Sequence, residues 1–86
     1  MASYRVLIKP SAAKEIEADQ KKDRQRIVAS ILALAKDPRP VGGEKLAGEG
    51  DRYRVRVGRY RVVYTIADAE LQVLLVRVAD LKDVYR

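Results

Sequence analysis

The sequence predicts an α+β domain in which a helical hairpin packs on one face of a small, mainly antiparallel sheet, in the order β-α-α-β-β-β. Three observations predict it. Residues 52–78 keep a two-residue alternation of apolar and polar side chains and are cut by short turn segments, as strands are. Residues 23–37 instead carry Ile27, Val28, Ile31, Leu34 and Ala35 at the spacing of an amphipathic helix. The helical pattern comes early and the strand pattern late, which predicts a sheet of hairpins rather than a parallel sheet with crossover helices. At 86 residues the chain is expected to form one domain, 1–86, with a single modest core.

In chain order, Tyr4, Val6 and Ile8 alternate with Arg5 and Lys9 and predict a first strand. Pro10 stops it, and Ser11 is placed to cap a short helix running to about Gln20, with Ala13 and Ile16 facing inward. Lys21-Lys22 break that helix, and Asp23 can cap the second, which must end by Asp37 because Pro38 and Pro40 follow. The first helix has little apolar surface and is expected to pack beside the second as a hairpin. Residues 38–51 hold two prolines and four glycines and read as a loop. Three strands follow, Arg52–Val57, Arg59–Ala67 and Leu71–Val78, joined at Gly58 and at residues 67–70. Val73 and Leu75 on one face, with Leu74 and Val76 on the other, predict that the last of these lies inside the sheet. The tail 79–86 returns to polar residues.

Composition excludes several kinds of chemistry. There is no cysteine and no histidine, so a disulfide framework, a thiol nucleophile, an imidazole base and the common structural metal cages are all out of reach. No apolar run approaches the roughly 20 residues of a membrane span, and the N-terminus lacks a signal pattern, which predicts a cytoplasmic protein without a membrane partner. The net charge of +6 points to a polyanionic partner. Residues 1–51 carry ten basic and eight acidic groups, and residues 52–86 carry eight and four, so the excess lies in the C-terminal part.

Its centre is Arg52 to Arg61, RYRVRVGRYR, five arginines without an acid in ten residues. In a strand, Tyr53, Val55 and Val57 would turn inward and Arg52, Arg54 and Arg56 outward on one face. Like charges at such spacing repel one another. The face is either solvated surface or an anion site. Tyr53, Tyr60 and Tyr64 fit a core or cross-strand role better than a base-stacking one. Tyr85 is open to a functional role, because too little chain follows it to build a core. Lys45 could touch a phosphate or cap the loop. Glu15, Glu17, Asp19 and Asp23 read as helix surface charge.

Three segments carry a resemblance: the Lys45-Leu46-Ala47-Gly48 loop, the run Gly58-Arg59-Tyr60-Arg61-Val62-Val63-Tyr64, and the closing Val84-Tyr85-Arg86. In this order, after a strand and a helical hairpin, the chain resembles the RelE branch of the RelE/ParE toxin superfamily over nearly its whole length. The resemblance implies the toxin of a type II toxin–antitoxin pair. Such a toxin enters the ribosomal A site and cuts mRNA without metal or other cofactor, by attack of a 2′-hydroxyl on the adjacent phosphate. It implies three partners: the ribosome, its mRNA and a cognate acidic antitoxin that forms a hetero-oligomer with the chain.

Carried over residue by residue, the resemblance makes Arg61 the holder of the scissile phosphate and Tyr85 the group that orients or deprotonates the 2′-hydroxyl. Arg54 and Arg56 fall where some members carry lysines; guanidinium groups stay protonated, so here they are phosphate clamps. Arg52, Arg59, Arg77, Lys45 and Arg86 complete the expected RNA-binding set. The chain departs from its relatives at Ala79-Asp80-Leu81-Lys82. The cation expected at position 81 is a leucine, which leaves Lys82 as the candidate acid for the leaving oxygen, and Asp80 adds a charge that a polyanion would not favour. Two alternatives stay open on the same fold: a ParE-like gyrase inhibitor, and an RNA- or antitoxin-binding module without catalysis.

Overall fold

The computed structural model of the protein describes residues 3–46 and 52–80. Its elements are β1 (Arg5–Ile8), α1 (Pro10–Glu17), α2 (Lys21–Leu34), β2 (Glu44–Lys45), β3 (Arg52–Val57), β4 (Tyr60–Ala67) and β5 (Gln72–Asp80). The strands form one sheet in the order β1-β5-β4-β3-β2, with β1 parallel to β5 and the other pairs antiparallel. The two helices cover one face, as predicted. Strand β2 is an addition, found inside the stretch expected to be all loop. At two residues it is too short for alternation to reveal, and it is held by pairing Glu44 with Arg54 and Lys45 with Tyr53.

The core forms where Tyr60, Val62, Tyr64 and Ile66 of β4 and Val73, Leu75 and Val78 of β5 meet Ala12 and Ile16 of α1 and Ile27, Ile31 and Leu34 of α2. Tyr53, Val55 and Val57 of β3 pack against it from the predicted face. The helices start earlier than their capping residues suggest. Lys9 is the N-cap of α1, and Pro10 takes up the start of the helix, where its missing N–H would have had no partner anyway. The inward pair is therefore Ala12 with Ile16, one turn apart, and Ala13 lies to the side. Helix α2 begins at Lys21 behind Gln20, so Asp23 sits inside its first turn, where its carboxylate accepts a hydrogen bond from the Tyr60 hydroxyl at 3.1 Å. Ile27, Ile31 and Leu34 fill the line facing the sheet. Val28, one step further round the helix, stands outside it and is 42% exposed.

Two turns set the register. Strands β3 and β4 are joined by Gly58-Arg59, with Val57 paired to Tyr60, and Gly58 takes φ 58° at the first central position, as in type II′ hairpins. Arg59 thus belongs to the turn and not to the strand. Strand β5 contains a bulge: Tyr64 pairs with Leu75 but Val63 pairs with Arg77, leaving Val76 as the extra residue. Strict alternation would put Arg77 on the helix side with Val73 and Leu75. The bulge moves it to the open face.

The segment after α2 is pinned to the end of the sheet. Arg39 grips Asp68 with both ends of its fork (3.1 and 2.9 Å), and the Tyr4 hydroxyl donates to the same carboxylate at 2.6 Å. Arg39 also lies 5.4 Å from the centroid of Tyr53, which stacks on Tyr64, and the Tyr64 hydroxyl donates to the Pro38 carbonyl at 2.8 Å. The Arg39 fork, and then the Tyr4 hydroxyl, hold the Asp68 carboxyl down at about 2.

Two outcomes test this arrangement. Ile27→Ala should cost about 2–5 kcal/mol in denaturant unfolding, because it leaves a cavity in the core, whereas Val28→Ala should stay within about 0.5 kcal/mol. The Asp68 carboxyl titrates lower in the folded chain than the ordinary value near 4. Its contribution is therefore complete above pH ~4 and is lost as the pH falls from there towards 2. Thermal melts of Asp68→Asn should lose less stability over that interval than wild type does, by a small amount because the pair is exposed.

Candidate nucleic-acid interface

The face of the sheet opposite the helices is built by three rows of cross-strand partners. Arg52 of β3 lies beside Thr65 of β4 and then Leu74 of β5; Arg54 beside Val63 and Arg77; Arg56 beside Arg61 and Ala79. Among the described residues, five arginines therefore share one surface: Arg52, Arg54, Arg56, Arg61 and Arg77. Arg56 and Arg61 stand directly opposite each other, the arrangement in which like charges cost stability. Burial does not explain it, since Arg56 is exposed and Arg61 only partly covered. Gly42, Glu44, Arg54, Arg56 and Arg61 surround a depression of about 240 Å³. At its edge the Glu44 carboxylate accepts from an Arg54 guanidinium nitrogen and orients that fork.

A second cleft, of about 460 Å³, is separate from this depression and related to it by the cross-strand row Arg54–Val63–Arg77. Val63 and Val76 form its floor, Arg52 and Arg77 border it, and Ser11 and Glu15 of α1 make its far wall. Glu15 is fixed there by two bonds. One carboxylate oxygen accepts from the Val78 backbone N–H at 2.8 Å, and the other lies 3.5 Å from Arg77 Nε.

Not every residue expected at the site is on this face. Arg59 lies on the helix side, with its Nε 3.1 Å from Asp80 and its guanidinium 5.5 Å from the centroid of the Tyr60 ring. Its place in the hairpin turn, instead of at the next alternating position, puts it there. Its hydrogen bond to Tyr60, and next the charge of Asp80, raise its already high pKa. Lys45 is paired with Tyr53, whose side chain faces the helices, so strand register separates it from Glu44 and Arg54. Asp80 also belongs to the helix side, held by Arg59 with its side chain 12% exposed, so its charge does not stand among the arginines. Leu81, Lys82, Tyr85 and Arg86 lie outside the described residues.

The sequence pattern missed two acids of this surface. Glu44 sits in β2, whose only prior signal is a short Glu-Lys step after the Gly42-Gly43 turn. Glu15 reads as one of several helix carboxylates, and its role follows only from where α1 crosses β5. Chemically, the surface offers fixed cations that can hold a phosphate bidentately and carboxylates at its two margins that can accept a proton or a donor group.

A family model described as the ParE toxin of the type II toxin–antitoxin system, parDE, matches residues 6–85. The chain belongs to this toxin family. Solved structures agree on the fold of this RelE/ParE-superfamily toxin. The RelBE2 toxin–antitoxin complex of Mycobacterium tuberculosis contains a chain 24% identical to it, with 93% of each chain covered and a TM-score of 0.84. A chain of the archaeal RelE–RelB complex from Pyrococcus horikoshii OT3 is 27% identical, covering 92% of this toxin and 96% of its own length at TM-score 0.82. The isolated E. coli RelE toxin is 24% identical over 96% and 92% at TM-score 0.81. No curated protein sequence matches the toxin at a significant level.

Retention on a heparin column tests the sorting of charge by face. Arg54→Ala with Arg56→Ala should elute at clearly lower salt than wild type, because each lost phosphate-type contact removes about one unit of salt dependence. Arg59→Ala removes one such charge from the other side of the sheet and should shift elution by clearly less than half as much. An equal shift per arginine on both faces would show that net charge alone, and not this surface, governs binding.

Proposed function

We propose that the chain is a ribosome-dependent endoribonuclease, the toxin of a type II pair that stops translation by cutting mRNA in the A site. The observation that carries this reading is the gathering of five arginines of the described residues on one sheet face, with Arg56 opposite Arg61, a concentration of positive charge that suits a polyphosphate. In the proposed reaction the 2′-oxygen attacks the adjacent phosphorus, the P–O5′ bond breaks, and the products are a 2′,3′-cyclic phosphate and a free 5′-hydroxyl. Guanidinium groups of Arg61, Arg54 and Arg56 take up the charge that develops on the phosphoryl oxygens. Arginine cannot act as the base, and the Glu44 carboxylate in the same depression is the group placed to accept the 2′-proton. Tyr85 orients the nucleotide, and Lys82 delivers a proton to the departing 5′-oxygen. Arg52, Arg77 and Arg86 bind flanking phosphates.

The partner proposed for the resting state is an acidic antitoxin that covers the arginine face. The M. tuberculosis and P. horikoshii relatives were both solved as toxin–antitoxin complexes. A second reading, inhibition of DNA gyrase by protein contact, draws support from the ParE description of the matching family and from Val28 and Leu32 on the outer face of α2, which are 42% and 63% exposed.

Cleavage of message on programmed ribosomes separates the two. Arg61→Ala should lower the rate by about 10² to 10³, the usual loss for one preorganised charge donor, and Glu44→Gln should lower it by about 10² to 10⁴, the usual worth of a general base. Lys82→Ala should slow cutting, and Leu81→Arg should raise it by restoring a second cation. Supercoiling by gyrase should be unaffected. Intact message with wild type and Leu81→Arg alike, together with loss of supercoiling, would replace the nuclease reading with the gyrase one.

A further inference from the structure

The cleft between α1 and the bulged part of β5 carries arginines at its border, but its apolar lining of Val63 and Val76 and the Glu15 carboxylate are not accounted for by phosphate binding. The row Arg54–Val63–Arg77 relates it to the phosphate depression: Arg54 borders that depression, Val63 is the floor of the cleft and Arg77 its rim. Two strand spacings, about 10 Å, separate the Cα atoms of Arg54 and Arg77. That is comparable with the reach of one nucleotide from its phosphate to the edge of its base. The cleft volume of about 460 Å³ lies within the range of roughly 300–1,000 Å³ typical of small-ligand sites. Its floor of Val63 and Val76 is apolar, as a flat aromatic ring requires, and the exposed Arg77 guanidinium can stack on such a ring.

Glu15 gives the cleft a chemical preference. An ionised carboxylate offers about four acceptor positions and no donor. Here one oxygen is bound by the Val78 N–H and the other lies beside Arg77 Nε, which fixes the side chain and leaves further lone pairs for a ligand. The Watson–Crick edges of the four bases differ towards such a group. Guanine presents two adjacent donors, N1–H and the N2 amino group. Adenine and cytosine each present one amino group next to an acceptor nitrogen, and uracil one N–H between two carbonyl oxygens. Only guanine can donate twice to a carboxylate, and the carbonyls of uracil would face it unfavourably.

We infer that this cleft is a nucleobase subsite that selects guanine beside the bound phosphate, with Glu15 accepting from its Watson–Crick edge and Val63, Val76 and Arg77 enclosing the ring. The inference rests on the RNA-cutting reading for its biological use but can be measured without it. The β-bulge at Val76 and the position of α1 then set sequence preference, while the Arg54–Arg56–Arg61 depression sets affinity for the chain of phosphates.

The test uses the full chain and the four nucleoside 3′,5′-bisphosphates as probes, with binding followed by NMR or calorimetry, alongside cutting of messages that vary one base of the A-site codon. Wild type should bind guanosine bisphosphate about tenfold or more tighter than the uridine compound, the discrimination expected of one good bidentate contact. Glu15→Gln keeps an oxygen for the Val78 N–H, so it should melt near wild type, and it should reduce the guanine preference to within about threefold. Ser11→Phe, which fills the cleft from the α1 side, should weaken all four nucleotides and leave inorganic pyrophosphate binding unchanged. Equal binding of the four bases by wild type, or a guanine preference that survives Glu15→Gln in a folded protein, would overturn the subsite. Selective guanosine binding without any cutting of message would uphold the subsite and overturn the nuclease reading. Cutting with neither base preference nor selective binding would do the opposite.

Discussion

Strand β4 imposes the constraint that both faces of the molecule obey. Its residues alternate without interruption, Tyr60, Val62, Tyr64 and Ile66 under the helices and Arg61, Val63 and Thr65 on the open side. A strand so regular requires neighbours in the same phase. Strand β3 complies over its whole length, but β5 cannot. Arg77 stands in the same phase as Val73 and Leu75, and unbroken pairing would drive its guanidinium under the helices while turning Val78 outward. Burying an unpaired cation costs far more than a local defect in a ladder. The extra residue Val76 resolves both conflicts at once, and the fifth arginine of the open face is a direct consequence.

Charge is then sorted by face. Asp19, Asp23 and Asp80 gather on the helix side around Tyr60, where Arg59 binds Asp80 and Asp23 accepts from the Tyr60 hydroxyl. Burial raises the Asp19 carboxyl, the charges of Asp23 and Asp80 add to that, and the neighbouring Tyr60 hydroxyl and then Arg59 oppose it. On the open face, Glu44 binds Arg54 at the β2 margin and Glu15 contacts Arg77 at the β5 margin. Exposed ion pairs of this kind contribute little to stability, commonly less than about 1 kcal/mol. Their effect is geometric: each holds a guanidinium fork that would otherwise swing on a long side chain, and both leave the interior of the surface positive.

The order of helices and strands, the inward set of β3 and the grouping of Arg52, Arg54, Arg56 and Arg61 were legible in the sequence, because each depends on a period that a single chain carries within itself. What was hidden depends on pairing between distant segments. Whether Arg77 faces the helices or the open side is decided by a bulge defined only against β4. The role of Glu15 depends on an edge exposed when β1 ends, and β2 exists only because Arg54 and Tyr53 offer it partners. Capping signals misled for a related reason. Ser11 and Asp23 are good caps in isolation, but Pro10 and Lys21 could already begin helices, and packing of Ala12, Ile16 and Ile27 settled the boundary. The family resemblance added what no periodicity contains, namely which of several arginines to place at the phosphate.

The edge of β5 shows how a requirement of folding becomes a property of the site. Strand β1 pairs with β5 only as far as Leu75, and beyond it the backbone donors of β5 face an open margin. Unpaired strand edges invite association with other chains, and a buried N–H without an acceptor costs free energy. The chain answers by turning at Pro10 and laying α1 along that margin, with Glu15 supplying the acceptor that Val78 lacks. Any residue with a carbonyl or carboxylate of the right reach would close the edge. A carboxylate does so while keeping spare lone pairs and a charge opposed to Arg77, and it does so at the one margin where the apolar floor of Val63 and Val76 begins. An amide at position 15 would satisfy the backbone N–H equally well, so closing the edge does not require the charge, which serves instead to hold the Arg77 fork at the border of the cleft.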